Sequence, residues 1–326
     1  MALLLSETDV RALLTMPLAL EAVETAFRRL ASGAAILQSR QRLHVPHASY
    51  LHYMAAGDGE GGYIGLKIYT SSREGLRFLV PLFHAKTGDL VALIEADYLG
   101  QMRTGAASGV ATQYLARQDA CSAGIVGTGL QARTQLEAIV AVRKLQWARA
   151  FGRDATRRET FAREMTERLR VPVHAVASAE EAVRDADIII AATTASEPVI
   201  EGRWLRAGVH INAIGANFAN KRELDEEAVR RANVIVADSR EQSKMEAGDL
   251  IYAFRDDPAR WNSVREFAEI IAGRTPGRTD AGQITLFKSN GIAIEDIVVA
   301  GRLYELARER GIGREIPLWE SRASAK

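Results

Sequence analysis

Residues 121–131 read Cys-Ser-Ala-Gly-Ile-Val-Gly-Thr-Gly-Leu-Gln and are followed by Ala132. Gly127-Thr128-Gly129-Leu130-Gln131-Ala132 is a G-x-G-x-x-A turn. It lies between an apolar run and an amphipathic one (Leu136, Ile139, Val140), the pattern of a dinucleotide-binding strand–turn–helix unit. Gly127 permits a tight turn, Gly129 lets the backbone approach a pyrophosphate, and Ala132 lets the helix pack close to its sheet. The helix N-terminus adds free N–H groups and a partial positive charge. The ribose of such a cofactor is read at the end of the next strand. An acid there binds a free 2′-hydroxyl, whereas Arg accommodates a 2′-phosphate. This chain offers Gly152-Arg153-Asp154. Arg153 favours NADP(H) and Asp154 leaves NAD(H) open. The same residues, with Arg157 and Arg158, also suit a solvated basic start to a helix.

Three basic residues outside that turn could act on a substrate: Arg42, Lys67 and Arg103. Arg holds a carboxylate bidentately, and Lys in a partly dry cleft shifts its pKa and shuttles a proton. Arg103-Thr104-Gly105-Ala106-Ala107-Ser108-Gly109 reads as a helix of small residues that approaches a neighbour closely. Arg103 and Thr104 are expected near its N-terminal end, where an anion is favoured. His44, His47 and His52 lie close in sequence, but no flanking Cys or paired acid accompanies them, so no metal site is assigned. No Ser/His/Asp order stands out.

The elements that must position these residues are legible in outline. Ser6-Glu7-Thr8-Asp9 is a capping pattern. Pro17 opens a second helix with an apolar stripe of Leu20, Val23, Phe27 and Leu30, and Gly33 stops it. Strands are expected at 63–69, 79–84 and 90–95, the last two joined by the turn Lys86-Thr87-Gly88-Asp89. In 63–69, Ile64, Leu66 and Ile68 share one face, and Lys67 points to the other. From 121 onward, strands at 147–152, 171–176, 187–192, 209–215 and 233–238 alternate with helix-like stretches, with a last strand at 285–287. That alternation predicts a doubly wound parallel sheet. Residues 292–310 read as a long amphipathic helix ending at Gly311, followed by a loose basic tail. The fold class expected is α/β: a Rossmann domain over 118–291, and an α+β substrate domain over 1–117 with 292–326.

The 326 residues carry 42 Lys+Arg against 41 Asp+Glu, a net charge of +1. Such a balance gives no reason to expect a nucleic-acid or membrane partner. Cys121 is the only cysteine, and Ala2-Leu3-Leu4-Leu5 is too short for a signal core, so the cytoplasm is the expected compartment.

The chain resembles the ornithine cyclodeaminase/μ-crystallin family along essentially its whole length. The matching segments are Gly65-Leu66-Lys67, Met102-Arg103-Thr104-Gly105-Ala106-Ala107-Ser108, the turn 127–132, Asn212-Ala213-Ile214-Gly215-Ala216, Arg222-Glu223-Leu224-Asp225 and Thr285-Leu286-Phe287-Lys288-Ser289-x-Gly291. The resemblance implies a homodimer paired through the N-terminal substrate domain and completed by the C-terminal helix. It implies hydride transfer at the α-carbon of a small amino or imino acid. By the same resemblance Arg42 and Arg103 grip the substrate carboxylate, Lys67 faces the reacting nitrogen, and Thr104 touches cofactor phosphate. Cyclodeaminases carry a proton-handling Asp after the fifth strand, where this chain has Asn217. An amide takes up no proton near neutral pH. The expectation is therefore reduction of a cyclic α-imino acid such as Δ1-pyrroline-2-carboxylate or Δ1-piperideine-2-carboxylate. Ornithine cyclodeamination, acyclic amino-acid dehydrogenation and non-catalytic NADPH-dependent binding are the alternatives.

Overall fold

The computed structural model describes residues 1–72 and 75–318. The chain divides into two compact units, Met1–Arg103 with the chain from Ile292 onward, and Thr104–Gly291.

In the first unit, strands β1 (Ala2–Leu5), β2 (Ala35–His44), β3 (Tyr50–Asp58), β4 (Tyr63–Ser72), β5 (Gly75–His84), β6 (Leu90–Glu95) and β15 (Arg314–Ile316) form one sheet, ordered β15-β1-β6-β5-β4-β3-β2. Only β1 and β6 run parallel. Ser6 caps the helix Glu7–Leu13 in a full capping box with Asp9. Gly33 ends the helix Met16–Ser32 at φ 79°. The helix Ala293–Arg310 lies on one face of the sheet. A Cβ on Gly65 would come 2.7 Å from the Ile297 side chain, so the glycine lets helix and strand close. The opposite face is apolar and, among the described residues, uncovered, with Ile36 72% and Ile64 42% exposed. Leu66 and Phe83 line a depression there with Ile36 and Ile64.

The loose tail expected after Gly311 is instead partly a strand: β15 pairs antiparallel with β1, Ala2 opposite Ile316. Leu3-Leu4-Leu5 would otherwise form an apolar edge with unpaired backbone groups. Residues 319–326 of that tail lie outside the described residues.

In the second unit, β7 (Ser122–Val126), β8 (Trp147–Phe151), β9 (Val173–Ala175), β10 (Ile188–Ala191), β11 (His210–Ala213), β12 (Val234–Ala237), β13 (Arg265–Glu266) and β14 (Thr285–Lys288) are ordered β13-β12-β14-β11-β10-β7-β8-β9. Every pairing is parallel. The central strands are buried on both faces and read as continuous apolar runs, Ile188-Ile189-Ile190 most plainly. The chain winds outward from β7 to β9 and resumes on the other side at β10. This makes a doubly wound Rossmann sheet with its switch point between β7 and β10.

The boundary expected after 117 falls instead within the helix Asp97–Leu115, between Arg103 and Thr104. Its second half belongs with the Rossmann unit by packing. A Cβ on Gly105 would lie 2.5 Å from the Thr134 carbonyl oxygen. Arg143 Nη2 donates to the Thr112 carbonyl at 2.9 Å, and Asn212 Nδ2 to Thr112 Oγ1 at 3.1 Å. Among the described residues no helix is long and apolar enough to cross a membrane.

Candidate active site

In the Rossmann unit, Gly127 follows β7 with φ +106°, and a Cβ there would lie 2.2 Å from the Ala192 carbonyl oxygen. Only glycine meets both conditions. Gly129 is the N-cap of the helix Leu130–Val142 and no side chain caps that helix, while a Cβ on Gly129 would meet nothing within 4 Å. Free N–H groups at a helix start thus open onto clear space, which fits a pyrophosphate. Leu130 beside them is exposed, Gln131 is half-buried and Ala132 is fully buried. Thr128 packs on the end of β8, its Oγ1 2.5 Å from where a Cβ on Gly152 would stand. Arg133, passed over in the sequence, fastens the turn by donating from Nη1 to the Thr128 and Gly129 carbonyls at 3.3 and 3.1 Å.

Two glycine substitutions separate folding from binding. Gly127→Ala combines a clash with left-handed strain and should cost about 2–4 kcal/mol, lowering the melting temperature. Gly129→Ala should melt as the parent does yet bind reduced nicotinamide dinucleotide about tenfold more weakly, or worse, in a fluorescence titration. Parental affinity in Gly129→Ala would remove the turn from the site.

At the end of β8, Arg153 is exposed. Asp154 is the N-cap of the helix Ala155–Leu169, accepting from the Arg157 N–H at 3.0 Å. The acid is thus committed in part to the cap. Thr104 is buried, and its carbonyl accepts from Gln135 Nε2 at 2.9 Å. Arg103 and Thr104 stand well inside the helix Asp97–Leu115 rather than at its N-terminus, so Arg103 acts through its side chain and not through a helix end.

In the first unit, β4 brings Lys67 to the inner sheet face, where it is 3% exposed. Its Nζ donates to Asp296 Oδ1 at 2.7 Å. Arg103 Nε donates to the same oxygen at 3.1 Å, and its Nη1 to Glu295 Oε2 at 2.8 Å. Glu295 and Asp296 sit fully buried in the first turn of the helix Ala293–Arg310. A Cβ on Gly100 would stand 3.0 Å from Lys67 Nζ, so that glycine keeps room for the ammonium. Burial and then the Arg103 charge lower the Lys67 pKa to about 8, against the opposing pull of Asp296, with Arg40 lowering it further.

Arg42 is half-buried and stands opposite His52 in register, on the same sheet face as Lys67. Arg40, which carries no expectation from the sequence, is the buried arginine of β2 and contributes to the field at Lys67. The alternation Arg40-Gln41-Arg42 was the available signal, since residues two apart in a strand share a face. His52 stacks on Tyr69 at 4.3 Å and its Nε2 lies 3.0 Å from Ser71 Oγ, while His44 stacks on Tyr50 at 4.1 Å. Burial, then Arg42 and Arg40, lower the His52 pKa to about 4, so the ring is neutral. His47 is exposed.

Asn217 is half-buried in the loop after β11. Glu223 holds that loop, accepting the N–H groups of Gly215 (2.7 Å) and Ala216 (3.1 Å) on Oε2 and that of Thr193 (2.5 Å) on Oε1. Asp249 accepts the N–H groups of Glu223 and Leu224 and binds Lys288 Nζ at 2.9 Å, and Lys288 donates to the Ala216 carbonyl at 2.6 Å. Burial, then Asp249, push the Glu223 pKa up, while Lys288 opposes. Asp249 carried no sequence signal.

The model of the ornithine cyclodeaminase/mu-crystallin family matches residues 1–311. The chain belongs to that family. A Δ1-pyrroline-2-carboxylate reductase of Bacillus cereus is 40% identical over 261 residues, which cover 78% of this chain and 80% of that one. The Thermococcus litoralis Δ1-pyrroline-2-carboxylate reductase, solved with NADH and L-proline, superposes with a TM-score of 0.93 at 40% identity, covering 96% of this chain and all (100%) of that one. An archaeal alanine dehydrogenase dimer with bound NAD gives a TM-score of 0.91 at 33% identity, covering 98% of this chain and 99% of that one.

Proposed function

We propose that this family member is a nicotinamide-dependent reductase that converts a small cyclic α-imino acid, Δ1-pyrroline-2-carboxylate or Δ1-piperideine-2-carboxylate, to the L-amino acid. The observation that carries this reading is the buried Lys67–Arg103 pair set against Glu295 and Asp296. It supplies a rigid guanidinium for a carboxylate and an ammonium that gives up its proton near neutral pH. Likeness to the two pyrroline-2-carboxylate reductases supports the substrate class.

The cofactor, when bound, supplies a hydride. The residues that would hold it are Gly127 to Gln131 at the phosphates, with Thr104 and Arg153. NADP(H) is favoured because Arg153 stands free of the cap that engages Asp154. Arg103 and Arg42 grip the substrate carboxylate and fix the ring. Lys67 delivers a proton to the nitrogen as the α-carbon is reduced. Asn217 orients substrate or water by hydrogen bonds. Lacking a titratable group, it disfavours the ammonia-expelling steps of cyclodeamination. The lone cysteine suits a reducing cytoplasm.

The uncovered apolar face of β2–β5 supports a homodimer closed through this sheet. Ile64→Asp should shift the protein to monomer in light scattering. A dimer unchanged by it would remove this face from the interface.

The deciding experiment follows oxidation of NADPH and of NADH with five- and six-membered cyclic imino acids, with pyruvate plus amines, and with ornithine plus catalytic NAD⁺. Cyclic imino acids should turn over, and Arg153→Ala should narrow any preference for NADPH. Proline and ammonia from ornithine would identify a cyclodeaminase. Turnover only with pyruvate and an amine would identify an acyclic dehydrogenase. No turnover at all would leave a binding protein.

A further inference from the structure

Two adjacent acids at the start of the helix Ala293–Arg310 have an ordinary use, since negative side chains in a first turn complement the helix dipole. Exposed acids would serve that purpose. Glu295 and Asp296 are instead fully buried, and each bonds a different part of the cationic pair. Burying carboxylates is costly unless cations meet them at close range. The shorter Asp296 presents Oδ1 to both Lys67 Nζ and Arg103 Nε. The longer Glu295 reaches the far end of the guanidinium, at Nη1. Asp296 Oδ2 is buried and has no hydrogen-bond partner among the described residues, which leaves one acceptor beside the ammonium.

We propose that the two acids act separately on the cationic pair. Asp296 is the positioning residue that holds and orients the Lys67 ammonium, and Glu295 is the positioning residue that fixes the plane of the Arg103 guanidinium. This rests on the imine-reductase reading above and adds to it which group governs the proton and which governs carboxylate binding. Among the described residues, the titratable or charged groups that face Lys67 from the elements around it include Arg40 and Arg42 of β2, His52 of β3, Tyr69 of β4, Arg103 of the helix Asp97–Leu115, and Glu295 and Asp296. Phe78 of β5 adds only its ring, 5.4 Å from Nζ. Asp296 is the anion in direct contact with Lys67, so its removal acts on the ammonium first. Removal of Glu295 acts on Arg103 first.

The test is the pH profile of kcat at saturating imino acid, read together with KM. In Asp296→Asn the alkaline fall of kcat should move down by about one pH unit, a tenfold loss on that flank. Asp296→Glu, which keeps the charge, should return the fall to its parental position. Glu295→Gln should raise KM for the imino acid about tenfold without moving the fall. An unmoved or upward-moved fall in Asp296→Asn overturns the proposal, as does an equal downward move in Glu295→Gln. If Asp296→Asn does not fold, Asp296→Glu decides, and a displaced fall in that variant overturns it. A parental protein that oxidises no reduced nicotinamide with any imino acid instead overturns the functional reading itself.

Discussion

Lys67→Met should lower kcat for cyclic imino-acid reduction by about 10²–10⁴-fold, the range for loss of a positioned proton donor. Reduced-cofactor affinity should stay close to parental, because Lys67 lies in the first unit and the nucleotide turn in the second. Methionine keeps the length of the side chain without its charge. The fold tolerates that loss in principle, since Arg103 still satisfies Asp296 Oδ1. The pH profile separates a chemical role from a packing role. A donor must be protonated to act, and burial with Arg103 has brought Lys67 to about 8. In the parent, kcat should therefore hold below about pH 8 and fall above it as the ammonium loses its proton. In Lys67→Met that limb should vanish along with most of the rate. A methionine variant that retains the parental limb would transfer the proton step to another group.

The fold was readable where the determining contacts are local. The capping box at Ser6, the stop at Gly33, the hairpin at Lys86–Asp89 and the turn at 127–132 each need only a few neighbouring residues, and each stands as the sequence implied. What escaped depends on distant partners. β1 becomes a strand because β6 and β15 flank it. The stretch 292–310 reads as amphipathic, but its first half is buried all round, since helix and sheet close on each other at Gly65 and Gly301. For that reason Glu295 and Asp296 look like solvated acids in the sequence. Lys67 and Asp296 lie 229 residues apart, and no periodicity links them. The domain boundary escaped for a related reason. The small residues after Arg103 serve packing onto Thr134, so a single helix spans the point where the two units part. Asn217 was legible as a residue type, while the Glu223–Asp249–Lys288 web that steadies its loop was not.

Arg103→Ala should reduce kcat/KM for the imino acid by about 10³-fold or more, through loss of a bidentate carboxylate grip. The reduced dinucleotide should still bind. The variant should also be less stable, by about 3–5 kcal/mol, because Glu295 and Asp296 remain buried after losing the Arg103 guanidinium. Stability and activity must therefore be measured together, by thermal melting and by steady-state rates below the melting transition. The pH effect set beside that of Asp296→Asn distinguishes loss of a specific contact from general damage. Arg103 is a positive neighbour that, after burial, lowers the Lys67 pKa, so removing it takes away one lowering influence and leaves the raising pull of Asp296 in place. The alkaline fall of the residual rate should then move to higher pH, opposite to the shift expected for Asp296→Asn. General loosening of the site would admit water and draw both variants toward the ordinary lysine value. Opposite displacements from two substitutions that each break a buried ion pair can arise only if both act on the same ammonium.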